Sequence, residues 1–353
     1  MPKPSILHRA KDFVEGTAGR RVVVSNRFPF VEFQKRFLTV RMDLSNRCNL
    51  ACLVCGRSAL DSHSVRASDM EWTLFQRIVR EIFPKTLELF LSCTAEPLMA
   101  RNFSDILRVV GKSQIPFVAF TTNGLLLNEE NIQEIISAGV KEIYVSFDGA
   151  TQGTFGAIRG GASIQKVMKN IRLINHIKQL HSTPTPRVEL HITLMRSNIE
   201  EVEGIIEIAH SLQISRVTAL HFHAFPQLNL DSESLHNHTD ISDTCLERAR
   251  KRAAELNVKF DCPPAFKQAK PAPTRIRPNP TKQVCVLPWT SVVIRHDGDV
   301  FPCGVWYDGE PFGNLTKSSF SEVWYGPKYQ ALRTEMREHK LQSVCGRCEQ
   351  CCG

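Results

Sequence analysis

Between residues 38 and 262, six short β-rich runs alternate with longer amphipathic stretches, and no other feature of this sequence restricts its fold as strongly. The runs lie at 38–44, 86–92, 117–122, 142–147, 188–195 and 216–222. Helical stretches near 69–83, 102–112, 128–138, 163–181 and 199–212 separate them, with apolar residues three and four positions apart. Strand and helix in alternation build a parallel sheet covered by helices. Six consecutive strands predict an α/β fold, a partial (β/α)6 TIM-type barrel in preference to a closed eight-fold one. A further helix and strand are expected at 240–256 and 257–262. In such folds the loops at the C-terminal ends of the strands carry the chemistry.

At 353 residues and 42% hydrophobic content, the chain is long enough for a barrel and a second, smaller core. The expected organisation is an N-terminal extension at 1–37, the barrel at 38–262, a linker at 263–283 containing six prolines, and a small cysteine-rich domain at 284–353. No apolar run approaches the roughly 18 residues of a membrane span, and Met1-Pro2-Lys3-Pro4-Ser5 lacks the apolar core of a secretory signal. A cytoplasmic protein with no membrane partner is the expectation. The net charge of +8 is scattered along the chain, which argues against nucleic acid and suits an acidic substrate or an electron donor of acidic surface.

Twelve cysteines are many for such a chain. In a reducing compartment, cysteines at short spacing are read first as metal ligands. Three lie within 48–55 and six within 285–352, whereas Cys93, Cys245 and Cys262 stand apart without a partner pattern. The first group, Cys48-Asn-Leu-Ala-Cys52-Leu-Val-Cys55, directly follows the first β-run. One compact loop can present three thiolates to three irons of a cubane and leave the fourth open, whereas a zinc site would want a fourth ligand close by.

This loop resembles that of the radical S-adenosylmethionine (SAM) superfamily, C-x3-C-x2-C. It departs at Val54, where the family usually has an aromatic residue near the adenine. The resemblance continues in order along the strand ends. Ser92-Cys93-Thr94-Ala95-Glu96-Pro97 resembles the Gly-Gly-Glu-Pro segment that contacts the SAM amino group, with Glu96 and Pro97 as strict matches. Thr121-Thr122-Asn123-Gly124 resembles the family's Thr-Asn-Gly turn, and Val145-Ser146-Phe147-Asp148-Gly149 the segment whose Ser and Asp bear on the ribose and methionine ends. Ile158-Arg159-Gly160-Gly161 resembles the Arg-Gly segment beyond it, where Arg159 would pair with the SAM carboxylate. The resemblance thus implies cluster ligands Cys48, Cys52 and Cys55, which carry the catalysis, and SAM-binding residues Glu96, Asn123, Ser146, Asp148 and Arg159. Leu194-Met195-Arg196-Ser197-Asn198 is a partial match, in which Asn198 has the alternative of capping a helix. His221 and His223, at the end of the sixth run, are candidates for substrate contact or for structural roles.

Near the C-terminus stand Cys285, Gly298, Cys303, Cys345, Cys348, Cys351 and Cys352. Asp297-Gly298-Asp299 predicts a hairpin turn between 291–295 and 300–303, which would bring Cys285 and Cys303 near a C-x2-C turn. Four cysteines in two pairs also suit a zinc ribbon. The order Cys285, Gly298, Cys303, followed by Phe312-Gly313-Asn314-Leu315 and Val323-Trp324, resembles the SPASM auxiliary-cluster module. Its full seven-cysteine pattern needs more residues beyond Cys348 than this sequence has, so the shortened twitch form with one auxiliary 4Fe-4S cluster is expected. Its ligands would be Cys285, Cys303, Cys345 and Cys348, with Cys351 an equal alternative by spacing.

The resemblance implies an oxidoreductase. An external donor such as flavodoxin or ferredoxin would reduce the barrel's 4Fe-4S cluster, SAM would be cleaved to a 5′-deoxyadenosyl radical, and that radical would take hydrogen from a substrate C–H bond. The shortened module resembles dehydrogenases of cyclitols or sugars, so oxidation of a small molecule is the first expectation. Modification of a ribosomal peptide or protein, epimerisation and decarboxylation are the alternatives. A non-catalytic iron-sulfur carrier or zinc module would have no use for Glu96, Asp148 and Arg159.

Overall fold

The computed structural model describes residues 36–55, 67–222, 228–267, 285–306, 309–338, 343–346 and 348. Along the chain run β1 (Leu38–Met42), α1 (Trp72–Glu81), β2 (Thr86–Phe90), α2 (Phe103–Lys112), β3 (Phe117–Thr122), α3 (Glu129–Ser137) and β4 (Glu142–Ser146). Then come α4 (Gln152–Ile158), α5 (Ile164–Leu180), β5 (Arg187–Leu194), α6 (Val202–Ser211), β6 (Arg216–His221), α7 (Thr239–Glu255) and β7 (Lys259–Asp261). The C-terminal part adds α8 (Leu287–Thr290), β8 (Ser291–Ile294), β9 (Asp299–Phe301), β10 (Gly313–Asn314), α9 (Phe320–Trp324), α10 (Pro327–Arg337) and α11 (Ser343–Gly346). The fold is mixed α/β with parallel strands and helices, and each of the six predicted runs contains a strand. Among the described residues no helix is long and apolar enough to cross a membrane.

The chain divides into two compact units. One comprises residues 1–42, 70–89 and 272–353, the other 43–69 and 90–271. In the second unit β3, β4, β5, β6 and β7 lie side by side in chain order, all parallel. Val118, Phe120, Ile143, Val145, Leu190, Ile192, Val217 and Ala219 are buried on one face of these strands, and Phe120 meets Phe103 of α2 edge-on at 6.0 Å. The other face carries Thr121, Tyr144, Ser146, Glu189, His191, Thr193 and Thr218 in matched register. An apolar face under helices and a polar face opposite is what directs the strand-end loops of this unit.

In the first unit the strand order is β10, β9, β8, β1, β2. The predicted hairpin forms, with Val293 opposite Phe301 and Ile294 opposite Val300, and Gly298 takes φ +90° at its turn. What the sequence did not predict is that β8 pairs in parallel with β1, from Thr39 opposite Ser291 to Met42 opposite Ile294. All four β8 residues are buried, as expected of a strand flanked on both sides rather than an edge. Helix α1 joins this unit through Arg77, which donates to Leu315 O at 2.5 Å, and Glu81, which accepts from Phe320 N–H at 2.7 Å.

Residues 1–35, His223, the linker beyond Lys267, Cys351 and Cys352 lie outside the described residues.

Candidate functional site

The loop 43–55 is tied down before its cysteines are reached. Asp43 is buried, and its carboxylate accepts from Cys93 N–H (2.8 Å), Thr94 N–H (2.9 Å) and Thr94 Oγ1 (2.9 Å). Burial pushes its pKa up against these hydrogen bonds. Arg47 pairs with Asp69 at 2.6 Å, and its carbonyl accepts Glu96 N–H at 3.0 Å. Cys52 is buried, and Cys48 and Cys55 are half-buried.

On its far side the loop meets the segment that ends α4. Leu53 N–H donates to Ile158 O at 2.9 Å. Gly160, at φ +60°, lies so close that a Cβ there would stand 2.7 Å from Ala51 O, so glycine is needed both for its backbone angle and for the contact. Val54 packs against an apolar cluster of Ile158, Met195 and Phe222, joined by Leu230. An apolar wall, with no aromatic ring at position 54, therefore flanks the cysteines.

Two carboxylates face this loop, one from the segment after β2 and one from the segment after β4. Glu96 is 3% exposed, accepting Thr122 Oγ1 at 2.8 Å on one oxygen and Asn123 N–H at 2.8 Å on the other. Burial pushes its pKa up to about 7, against the hydrogen bonds of Asn123, Thr122 and Leu98 and the charge of Arg159. Asn123 in turn donates through Nδ2 to Asn49 Oδ1 in the cysteine loop at 2.8 Å. Asp148, 1% exposed, accepts Thr193 N–H at 2.7 Å and pairs with Arg159 Nη1 at 3.1 Å. Burial lowers the pKa of Arg159, but the Asp148 carboxylate and then the Cys52 sulfur outweigh it and keep the guanidinium charged. The Arg159 Nε is buried with no hydrogen-bond partner among the described residues.

Hydrogen bonds and charge thus join Cys48, Cys52, Cys55, Glu96, Asn123, Asp148 and Arg159 in one group. Ser146 closes β4 in register with His191, half-buried and outside that group. Asn198 is fully buried and is not a side-chain helix cap. It donates to Asp148 O at 3.1 Å and Thr193 O at 2.8 Å and accepts from Met195 N–H at 2.8 Å.

Sequence reasoning missed Asp43, Asn49 and Glu201. Glu201 accepts from Ala150 N–H (2.6 Å), Thr151 N–H (3.0 Å), Thr151 Oγ1 (2.9 Å) and Thr154 Oγ1 (2.6 Å), and so clamps the turn between Asp148 and α4. A lone Glu after β5 gives no sequence signal for that task.

The C-terminal cysteines form a second group. Cys285, Cys303, Cys345 and Cys348 are all half-buried, and Cys348 N–H donates to Cys345 O at 3.2 Å. The Cys345 thiol is pushed up to about 12, by burial first and then by Cys303, Cys285 and Cys348. Cys52 is likewise pushed up to about 11, by burial and by Cys55 and Cys48 against the pull of Arg159. Thiols this reluctant to ionise alone become thiolates when a metal takes the proton's place. Among the described residues no three His, Cys, Asp or Glu side chains converge on the position of a single ion. A cubane takes each thiolate on a separate iron and spaces its ligands more widely. Beneath these cysteines the core holds buried Tyr329, with the Arg333 guanidinium 4.5 Å from the Trp324 ring and 4.9 Å from that of Tyr329.

Comparison with known proteins gives two domain matches, the radical SAM superfamily over residues 42–209 and the SPASM iron-sulfur cluster-binding domain over 285–351. The chain is 22% identical over 313 residues to a tungsten-containing aldehyde ferredoxin oxidoreductase cofactor-modifying protein of Pyrococcus furiosus, covering 83% of this chain and 82% of that protein. It is 25% identical over 326 residues to an AdoMet-dependent heme synthase of Methanosarcina barkeri, covering 88% of each. Among solved structures it resembles Streptococcus suis SuiB bound to its precursor peptide SuiA, with TM-score 0.67, 15% identity, and coverage of 85% of this chain and 67% of that one. SuiB has also been solved bound to SAM.

Proposed function

From the premise that this chain is a radical SAM enzyme with a C-terminal SPASM domain, we propose that it oxidises a C–H bond of a polar small molecule. Those two domains imply 4Fe-4S clusters and SAM as cofactors. In this reading Cys48, Cys52 and Cys55 hold the first cluster, and Cys285, Cys303, Cys345 and Cys348 hold an auxiliary one. When bound, the first cluster and SAM supply the reductive cleavage of a carbon–sulfur bond and the hydrogen-abstracting power that results from it.

The observation that carries the reading is Arg159, whose buried Nε lacks a partner while Nη1 is held by Asp148 beside Cys52. A buried cation with a spare donor suits the carboxylate of the SAM methionine end. Glu96 and Asn123 take the amino end, Asp148 and Ser146 lie towards the ribose, and the wall of Val54, Ile158, Met195 and Phe222 excludes water. Gly160 brings the Arg159 segment against the cysteine loop, so that one backbone contact aligns ligand binding with cluster binding.

The relatives named for a cofactor-modifying protein and a heme synthase support a small molecule. The second reading, modification of a ribosomal peptide or protein, has the peptide-bound SuiB structure behind it. An external one-electron donor such as flavodoxin or ferredoxin completes the system, and its need for reduced thiols fits the cytoplasm. The test is to incubate the anaerobic, reduced protein with SAM and C-deuterated cyclitols, hexoses and seryl peptides. Deuterium in the 5′-deoxyadenosine formed identifies the substrate class. Failure to form 5′-deoxyadenosine at all removes the reading.

A further inference from the structure

The polar face of β4, β5 and β6 carries a chain of side chains that neither SAM nor cluster binding uses. At its centre is His191, in register with Ser146 on β4 and Thr218 on β6. The His191 ring stacks on Tyr144 at 4.5 Å, with 21° between the planes. Its Nε2 lies 3.2 Å from Glu189 Oε1. Glu189 also accepts from the Thr218 hydroxyl and pairs with Arg216 at 3.6 Å, and Arg216 is bonded on to Asp261 at 2.6 Å. Tyr144 is fixed from its other end, donating to Glu142 at 2.7 Å. Burial opposes a charge on Glu189, but the hydrogen bonds from His191 and Thr218 and the charge of Arg216 outweigh it and hold it as a carboxylate.

A carboxylate on Nε2 fixes the imidazole tautomer with its proton on that nitrogen, leaving the Nδ1 lone pair for a ligand. The His191 side chain is one-third exposed, whereas its orienting partner Glu189 is 8% exposed. Two residues further along β5, Thr193 N–H holds Asp148, which sets His191 about 7 Å along the strand from that SAM-site contact. A buried carboxylate, an oriented imidazole and an open nitrogen on the face that ends at the SAM-binding loops are the parts of an acid–base site.

We propose that His191 is the proton acceptor for the substrate, with Glu189 and Tyr144 as its positioning residues, and that the substrate bears a hydroxyl on the carbon that loses hydrogen. This rests on the oxidation reading above. The hydrogen atom leaves carbon for the deoxyadenosyl group of SAM. The hydroxyl O–H bond then breaks as its proton forms an N–H bond at His191 Nδ1, and the C=O π bond forms. The one electron left over passes to an oxidised iron-sulfur cluster. The alcohol thereby loses two hydrogens, as one atom and as a proton plus an electron.

The test uses the fully loaded, reduced enzyme with SAM and C-deuterated cyclitol, hexose and seryl-peptide probes, comparing wild type with His191→Gln, His191→Gly and Glu189→Gln. The measured quantity is carbonyl product per deuterated 5′-deoxyadenosine. The proposal expects this ratio to fall about a hundredfold or more in His191→Gln, two decades being the low end of general-base effects. Added imidazole should restore it in His191→Gly, which a purely structural histidine would not show. Glu189→Gln should fall in between and respond little to imidazole. An unchanged ratio in His191→Gln, or a loss that imidazole cannot restore, overturns the role of His191 while leaving the oxidation reading intact. If wild type forms 5′-deoxyadenosine but takes deuterium from no hydroxyl-bearing probe, the oxidation reading and this proposal fall together.

Discussion

Glu96 and Arg159 carry opposite electrostatic problems, and each yields a measurable consequence. Burial lifts Glu96 to about 7, so without ligand its protonated form prevails only below about pH 7. Its contribution to stability is present at acid pH and is lost as pH rises through about 7. The SAM ammonium prefers the ionised form, so binding should tighten as pH rises from about 6 to about 7.5, by roughly tenfold per unit below the pKa. Equilibrium binding across that window should show this slope in wild type and a flat line in Glu96→Gln. Arg159→Ala should weaken SAM binding by about 1.5–3 kcal/mol at all pH values in the window, the worth of one charge-assisted hydrogen bond. Glu96, Asn123 and Asp148 stand out in the sequence as polar residues just past β-runs, where such folds keep their sites, while Arg159 closes the helix that follows β4. His191 and Glu189 do not stand out, since inside a strand a polar residue looks like ordinary alternation until its neighbours across the sheet are known.

At the scale of elements, the turn after β5 holds the turn after β4. Asn198 bonds Asp148 O while Glu201 gathers Ala150, Thr151 and Thr154, and the far end of the clamped segment presents Arg159 and Gly160 to the cysteine loop. Glu201→Ala should therefore loosen SAM binding by about tenfold, or 1.4 kcal/mol, although Glu201 belongs to none of the sequence motifs. Isothermal binding checks it, with Glu201→Gln expected in between because it keeps one acceptor oxygen. Gly160→Ala acts on the other partner of the contact. Its methyl would meet Ala51 O, so iron retained by the 48–55 loop should drop while far-UV circular dichroism stays unchanged. The strands and helices themselves were visible in the sequence, since alternation and three-four periodicity are local properties. The parallel pairing of β8 with β1 was not, because it joins segments about 250 residues apart and parallel pairs lack the short turn that announces an antiparallel one.

At the scale of the whole molecule, the two cysteine groups fall in different compact units, so their metals should be separable. If each holds a cubane, the intact protein carries roughly eight irons, about four per cluster. Replacing Cys48, Cys52 and Cys55 by Ala should leave about four irons and no SAM cleavage. Replacing Cys285 and Cys303 should also leave about four, but with a different thermodynamic signature. Those two cysteines bracket α8, β8 and β9, and β8 is the strand that pairs with β1. Metal binding to a site that forms only on folding is itself folding free energy. The Cys285 and Cys303 variant should consequently lose thermal stability in the unit that contains β1, whereas the Cys48, Cys52 and Cys55 variant, whose loop hangs on Asp43, Arg47 and Asn49, should lose less. Scanning calorimetry with iron analysis on the same samples separates these outcomes. Equal melting shifts for the two variants would mean that the C-terminal cysteines do not hold β8 in place, and a count near four irons with one zinc in wild type would assign them to a ribbon instead.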